Sequence, residues 1–265
     1  MLKRVIIFGA HTFIGFALCE RIVNEGIEVK GVLLESSDLI KKRLIDERLM
    51  MVGRNALFQT TETYERSDYE NSVDMIIHCC DDSEETTLID QDRKLLHQSV
   101  EVSNELHVPH VFISTMKRVD KDLRNKHVSF CEQYLSENKE KRMLVHLPIL
   151  FGPFQPPTEK IHQFLVKDNK ENEILIIDEP ILFIQDAVNA IFDLLTNFQQ
   201  GKTYSIHNDL KQNQKSAFLI KLKVNPECFN DCRSEKYLIK KPTSIEKGLK
   251  AQKEFIEKYS EILKS

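Results

Sequence analysis

The sequence predicts an α/β architecture, a doubly wound parallel sheet with helices on both faces, and two observations carry that expectation. Short apolar runs of strand length recur at 5–8, 29–34, 56–58, 75–79, 110–114 and 143–147, and most are continuously apolar, as in strands buried on both faces. Between them lie amphipathic stretches long enough for helices, at 13–25, 37–51, 84–106 and 121–137, the alternation that builds a parallel sheet. After Pro148 the rhythm breaks. Pro148, Pro153, Pro156 and Pro157 precede a short strand at 174–177, a helix at 184–197, a strand at 203–206, a polar region and an amphipathic C-terminal helix at 244–263. The expected division is a core of residues 1–151 and 181–207 with a small interleaved C-terminal subdomain of 152–180 and 208–265.

Composition narrows the function classes. The 265 residues carry 37 Lys+Arg against 41 Asp+Glu, a net charge of −4, so no basic field attracts a phosphate backbone and nucleic acid is not an expected partner. No apolar run approaches the roughly 18 residues that cross a bilayer. The opening apolar stretch ends at Ala10 without a small-residue cleavage site, and a cytoplasmic, membrane-free protein is expected. Six cysteines, Cys19, Cys79, Cys80, Cys131, Cys228 and Cys232, lack a framework spacing and read as reduced thiols. Only Cys228-x-x-x-Cys232 approaches metal spacing; with no adjacent His or second Cys pair, no metal is expected. There are only eight glycines, about half the usual share, so each one retained deserves a reason.

The first strand runs into Gly9-Ala10-His11-Thr12-Phe13-Ile14-Gly15 and then a helix, the place where a helix N-terminus receives a pyrophosphate. This segment resembles the Gly-x-x-Gly-Phe-Ile-Gly fingerprint of the extended short-chain dehydrogenases/reductases, the NAD-dependent epimerase/dehydratase family, with Thr12 in place of the middle glycine. Further segments resemble that family in the same order: Asp74-Met75-Ile76-Ile77-His78-Cys79-Cys80, Val111-Phe112-Ile113-Ser114-Thr115, Leu147-Pro148-Ile149-Leu150-Phe151-Gly152-Pro153, Ile184-Gln185-Asp186-Ala187-Val188 and Ile245-Glu246-Lys247-Gly248-Leu249. Six weak motifs in one order are more specific than any one alone. The resemblance implies a Rossmann-like sheet of order 3-2-1-4-5-6 and a crevice for NAD or NADP. Cofactor contacts would come from Gly9, His11, Thr12, Phe13, Ile14, Gly15, Cys79 and Cys80. It also implies a nucleotide or nucleotide-sugar-like ligand and a homodimer through the two long helices, with Leu88, Leu95, Leu96, Val102 and Leu106 as an apolar stripe.

The functional positions then depart from the family. Thr12 adds a branched side chain where backbone approaches the pyrophosphate. Leu33 and Leu34 stand where the ribose-binding Asp is usual, leaving the next residue, Glu35, as a substitute. Gln59-Thr60-Thr61 replaces an acidic residue near adenine. The family's Tyr-x-x-x-Lys pair, aligned through Glu132, falls on Arg124 and Val128; an arginine stays protonated and a valine has no polar atom. The Tyr237-x-x-x-Lys241 match lies in a strand-like stretch and is read as chance. His127, about 60° around the helix from Arg124, is the nearest acid/base stand-in. Thr115 is the best match for the family's substrate-holding hydroxyl, although counting back from Val119 points to Met116. Phe151 replaces the usual Tyr of the Pro turn, and His146 stands where an Arg is usual.

Three readings follow. One is a non-catalytic sensor, regulator or scaffold that binds NAD(P) or a related nucleotide weakly. A second is an active oxidoreductase or nucleotide-sugar epimerase with a rearranged acid/base group. A third is a structural partner with a vestigial crevice, against which the retention of Gly9 and Gly15 argues. The missing Tyr/Lys pair favours the first.

Overall fold

The computed structural model describes residues 2–36, 38–64, 73–81, 85–116, 123–137, 141–167, 174–208, 220–222 and 234–260. Ser37, Glu84, Lys121 and Leu263, the ends of expected helices, together with Val119, Cys228 and Cys232, lie outside them. The first half alternates as expected: β1 (Arg4–Phe8), α1 (Phe13–Val23), β2 (Glu28–Val32), α2 (Leu39–Val52), β3 (Phe58–Thr61), β4 (Met75–Cys79), α3 (Thr86–Leu106), β5 (His110–Thr115), α4 (Leu123–Glu137) and β6 (Arg142–Leu147). Beyond it come β7 (Ile149–Phe151), α5 (Lys160–Val166), β8 (Leu175–Ile177), β9 (Ile181–Phe183), α6 (Ile184–Thr196), β10 (Thr203–Asn208), β11 (Ile220–Leu222), β12 (Glu235–Ile239) and α7 (Ile245–Lys258).

The main sheet is parallel throughout, in the order β3-β2-β1-β4-β5-β6-β10-β12. Its first six strands have the expected order, and β10 and β12 extend it by two. β1 shows why the strands read as apolar runs: Val5 and Ile7 enter one hydrophobic layer with α1 and α6, while Ile6 and Phe8 enter another with Leu95 and Val102 of α3. Both faces are covered, so no residue of the strand core meets water. β3 lies two residues later than the apolar run suggests, because its register pairs Val29 with Phe58 and Val32 with Thr61. At the sheet edge the polar Gln59 and Thr60 are exposed.

Leu88, Leu95, Leu96 and Val102 are buried within the chain itself, Leu95 and Val102 in one layer under the sheet and Leu96 in another with α4. Leu106 is partly buried against the first of these layers. The described helices include none long and apolar enough to cross a membrane.

Two small parallel sheets, β7-β9 and β11-β8, accompany the main one. Asp186 of α6 accepts hydrogen bonds from the Thr243 backbone N (2.6 Å) and hydroxyl (2.9 Å), tying the start of α6 to the segment that leads into α7. A buried amide chain fixes the Pro-rich segment beside the crevice. Gly152 N donates to Gln252 Oε1, Gln252 Nε2 to Gln155 Oε1, and Gln155 Nε2 to the Leu150 carbonyl. Gly248 lets α7 approach, since a Cβ there would stand 2.6 Å from the Phe151 ring and 2.9 Å from that of Phe183. Valine is only slightly better than glycine in a helix, so overpacking decides the outcome. Gly248→Val is expected to lower stability by about 1–3 kcal/mol in urea unfolding; an unchanged midpoint would mean that α7 can shift freely.

Candidate functional site

The switch point of this strand order lies between β1 and β4, and ligands of such sheets bind beyond the carboxyl ends of the strands there. The loop after β1 is shaped by its own packing. Gly9 has φ +75°, and a Cβ on it would stand 2.1 Å from the Cys79 carbonyl oxygen; a Cβ on Gly15 would stand 2.2 Å from the Gly9 carbonyl oxygen. Chain geometry therefore demands both glycines whether or not a phosphate is bound, and their retention is not evidence for a ligand. Thr12 is the N-cap of α1, its Oγ1 accepting from Gly15 N at 3.0 Å. That bond satisfies the helix start and occupies one of the N–H groups that α1 would otherwise present to an anion.

His11 spans the switch point. Its Nδ1 accepts from the Leu34 backbone N–H at 3.1 Å, and its Nε2 lies 3.0 Å from Asp81 Oδ2. Because the Leu34 N–H can only donate, Nδ1 is bare and Nε2 carries the hydrogen given to the carboxylate. The ring thus joins the ends of β2 and β4 across the end of β1. Lys41 Nζ stands 3.5 Å from the same Asp81 oxygen. Glu35 is exposed and paired with Lys42 at 3.3 Å; it is not among the residues lining the crevice.

A cavity of about 410 Å³ opens beside this bridge, walled by His11, Thr12 and Phe13 of the loop, Lys41 and Arg48 of α2, and the segment from Phe154 to Glu159. Arg48 is buried, its guanidinium 4.7 Å from the centre of the Phe154 ring, 5.0 Å from Phe16 and 5.3 Å from Phe13. Its Nη1 donates to the Thr12 carbonyl at 3.4 Å. Burial pushes its pKa down to about 9, which still leaves a cation, and three aromatic faces compensate its lost water. Arg124 reaches the cavity from α4 and pairs with Glu159 at 2.9 Å. A smaller hollow adjoins it, lined by Ile14, Cys80, Ser114, Thr115 and Arg124. Ser114 Oγ is buried there without a hydrogen-bond partner, a polar group the sequence reading passed over for Thr115. Cys79 is fully buried in the main core. Among the described residues lining either space there is no tyrosine.

The other expected catalytic positions turn inward. Val128 is 1% exposed and packs with Phe112 and Leu96. His127 is fully buried: Nε2 is 2.8 Å from Asp92 Oδ2, and Nδ1 is 3.6 Å from Cys131 Sγ. Burial works against the imidazolium, yet Asp92 and Cys131 hold the His127 pKa up to about 9. The Cys80 thiol is the largest influence drawing Cys131 down to about 6, against burial and with help from His127. Burial likewise opposes ionisation of Asp92, and His78 and His127 overcome it, keeping its carboxyl well below the usual range. Asp92 has a sequence signal: it interrupts the apolar face of α3 one turn after Leu88. His146 pairs with Glu132 at 3.0 Å. Tyr237 lies on edge strand β12 and donates to Asp193 at 2.6 Å; burial and that carboxylate push its pKa up to about 12, so it is no base.

His110 lies deep in the same layer. Ser99 Oγ donates to the Leu96 carbonyl at 2.8 Å, so His110 Nε2 donates to Ser99 Oγ at 3.0 Å. Burial, then His78 and Arg142, hold its pKa well below the ordinary value. The folded state refuses a proton that the unfolded chain accepts near pH 6.5, so this stability is present above about pH 6.5 and is lost as pH falls below it. Urea unfolding is expected to show a decline of up to about 1.4 kcal/mol per pH unit from this group, and His110→Gln should flatten that limb; an unaltered acid limb would contradict the assignment.

No family model matches the chain. A stretch of 69 residues, 26% of the chain, is 41% identical to the uncharacterized protein YjaV of Bacillus subtilis (strain 168) and covers 37% of that protein's length. Among solved structures, UDP-glucuronic acid 4-epimerase from Bacillus cereus in complex with NAD is similar over 97% of both chains, with TM-score 0.73 and 14% identity. dTDP-glucose 4,6-dehydratase from Bacillus anthracis str. Ames in complex with NAD is similar over 99% of both, with TM-score 0.69 and 15% identity. UDP-glucose 4-epimerase from Thermotoga maritima with UDP-glucose covers 97% of this chain and 100% of its own, with TM-score 0.67 and 17% identity. With its eight-stranded parallel sheet, its order and its near-complete overlap with these structures, the chain has the Rossmann-like fold of the NAD-dependent epimerases and dehydratases.

Proposed function

We propose that the chain binds NAD, NADP or a related nucleotide weakly at the switch-point crevice and transfers no hydride, acting as a sensor, regulator or scaffold. The observation that carries this reading is the orientation of α4. Arg124 alone of the two substituted positions faces the crevice, and a guanidinium paired with Glu159 neither gives nor accepts a proton near neutrality. Its fellow position, Val128, is spent in the core. The rearranged-enzyme alternative leans on His127, whose ring is enclosed and engaged by Asp92; no bound substrate reaches it. The general acid/base help that a Tyr/Lys pair would give, worth about 10²–10⁴-fold, is therefore missing from the crevice. The cations Lys41 and Arg48 and the start of α1 support an anionic ligand, while the Thr12 cap and the His11 bridge weaken it.

Thr12→Gly tests the reading. It removes the branched side chain and frees the Gly15 N–H, at a capping cost of only a few tenths of a kcal/mol. Titration calorimetry is expected to show NAD or NADP binding about 3–10-fold tighter than in the unaltered chain, the worth of roughly one hydrogen bond. Neither protein should reduce or oxidise the cofactor with sugar-nucleotide or alcohol substrates. Steady turnover by the unaltered chain would overturn the non-catalytic reading, and absence of saturable binding in both proteins would overturn the nucleotide.

A further inference from the structure

Behind the crevice, four side chains from three elements converge in the protein interior: Cys80 just after β4, Asp92 on α3, and His127 and Cys131 one turn apart on α4. One donor atom from each, two Sγ, an imidazole nitrogen and a carboxylate oxygen, all lie within 4.8 Å of one another. His127 Nε2 is 2.8 Å from Asp92 Oδ2 and 3.9 Å from Cys131 Sγ. We propose that Cys80, Asp92, His127 and Cys131 form a closed, four-coordinate zinc(II) site that braces the end of β4.

The donor set is chemically selective. Two thiolates and an imidazole suit a borderline-soft, tetrahedral ion, whereas magnesium and calcium take oxygen ligands. Zinc bond lengths of about 2.0–2.3 Å place tetrahedral donors roughly 3.3–3.8 Å apart, so the observed set needs only side-chain adjustments of about 1 Å. On binding, both thiols ligate as thiolates and His127 as a neutral imidazole, their protons passing to solvent.

Burial separates this reading from a nucleophilic one. Cys131, His127 and Asp92 are fully buried, so their thiol–imidazole–carboxylate sequence meets no substrate. A closed site needs no such access. The surroundings fit an outer shell. His78 Nε2 stands 3.4 Å from Asp92 Oδ1 without hydrogen-bond geometry, and both His78 ring nitrogens and that oxygen are buried without a hydrogen-bond partner. With Asp92 turned toward an ion, His78 is placed to orient the carboxylate. Asp81 N donates to Asp92 Oδ2 at 3.2 Å, so the site is one peptide from the carboxylate that holds His11. Sequence spacing gives no sign of this site, because about 50 residues lie between Cys80 and Cys131 and only the fold brings the two thiols together. The proposal is independent of whether the crevice takes a nucleotide.

Elemental analysis of the full chain, purified without chelator and with any histidine tag removed, is expected to find about one zinc per chain. Replacement by cobalt(II) should give intense tetrahedral bands with thiolate-to-metal charge transfer. Cys131→Ser and His127→Gln should lose the metal, His78→Phe should weaken it about 10–100-fold, and the pair Cys228→Ser and Cys232→Ser should retain it. If the ligand variants fail to fold, the cobalt spectrum of the unaltered chain decides, since its charge-transfer intensity counts thiolates, with the Cys228/Cys232 variant assigning them. Failure to take up zinc or cobalt, a weak octahedral spectrum, or loss of metal in the Cys228/Cys232 variant would overturn the proposal.

Discussion

The ring of His11 ties together the ends of three adjacent strands and forms the inner wall of the crevice. Leu34 N–H and the Asp81 carboxylate lie on opposite sides of β1, and His11 satisfies both at 3.1 and 3.0 Å. The Asp81 side chain is 2% exposed, so removing the ring would take a hydrogen bond from a buried carboxylate and leave Lys41, at 3.5 Å, to balance its charge. Ala10 N donates to the Val32 carbonyl at 3.1 Å, adding a second tie from the loop to β2. In a loop made for a dinucleotide, small residues keep this space open. Here side chains bridge it.

Neighbouring elements are organised around the bridge. The start of α2 supplies Lys41 to Asp81, and further along Arg48 lies against the loop after β1 among Phe13, Phe16 and Phe154. Leu44 continues α2 onto Phe255 and Ile256 of α7. The buried Gln155–Gln252 pair anchors the facing Pro-rich segment. The cavity therefore has walls positioned by packing and hydrogen bonds on each side, a preformed pocket of the kind that takes a small ligand. Its charged lining is mixed: Lys41, Arg48 and Arg124 stand with Asp38, Asp81, Glu85 and Glu159. Such a lining suits a ligand with both anionic and hydrogen-bonding groups better than a bare anion.

The fold was legible because strand burial leaves a strong mark. Four consecutive apolar residues in β1 read as a two-faced strand, and they are one. The order of the motifs also carried tertiary meaning, since Gly248 answers Phe151 and Asp186 answers Thr243 across the chain. Site chemistry was less legible. Gly9 and Gly15 read as phosphate-loop residues, yet steric demands of β4 and the loop explain them without a ligand. The helical angle of His127, about 60° from Arg124, made it the nearest acid/base stand-in for the crevice, yet the packing of α3 against α4 turns its ring into the interior. Arg48 left no mark, because its burial depends on aromatic rings from two other segments.

The direct test of the account is the protonation pattern of the His11 ring, read by long-range ¹H–¹⁵N NMR of the free protein and again as NAD or NADP is added. A bridge between Leu34 N–H and Asp81 requires the Nε2–H tautomer in the free protein, and a nucleotide entering the switch point should shift both ring nitrogens as it saturates. A free ring showing the Nδ1–H tautomer, or ring signals that stay fixed at saturating nucleotide, would contradict it.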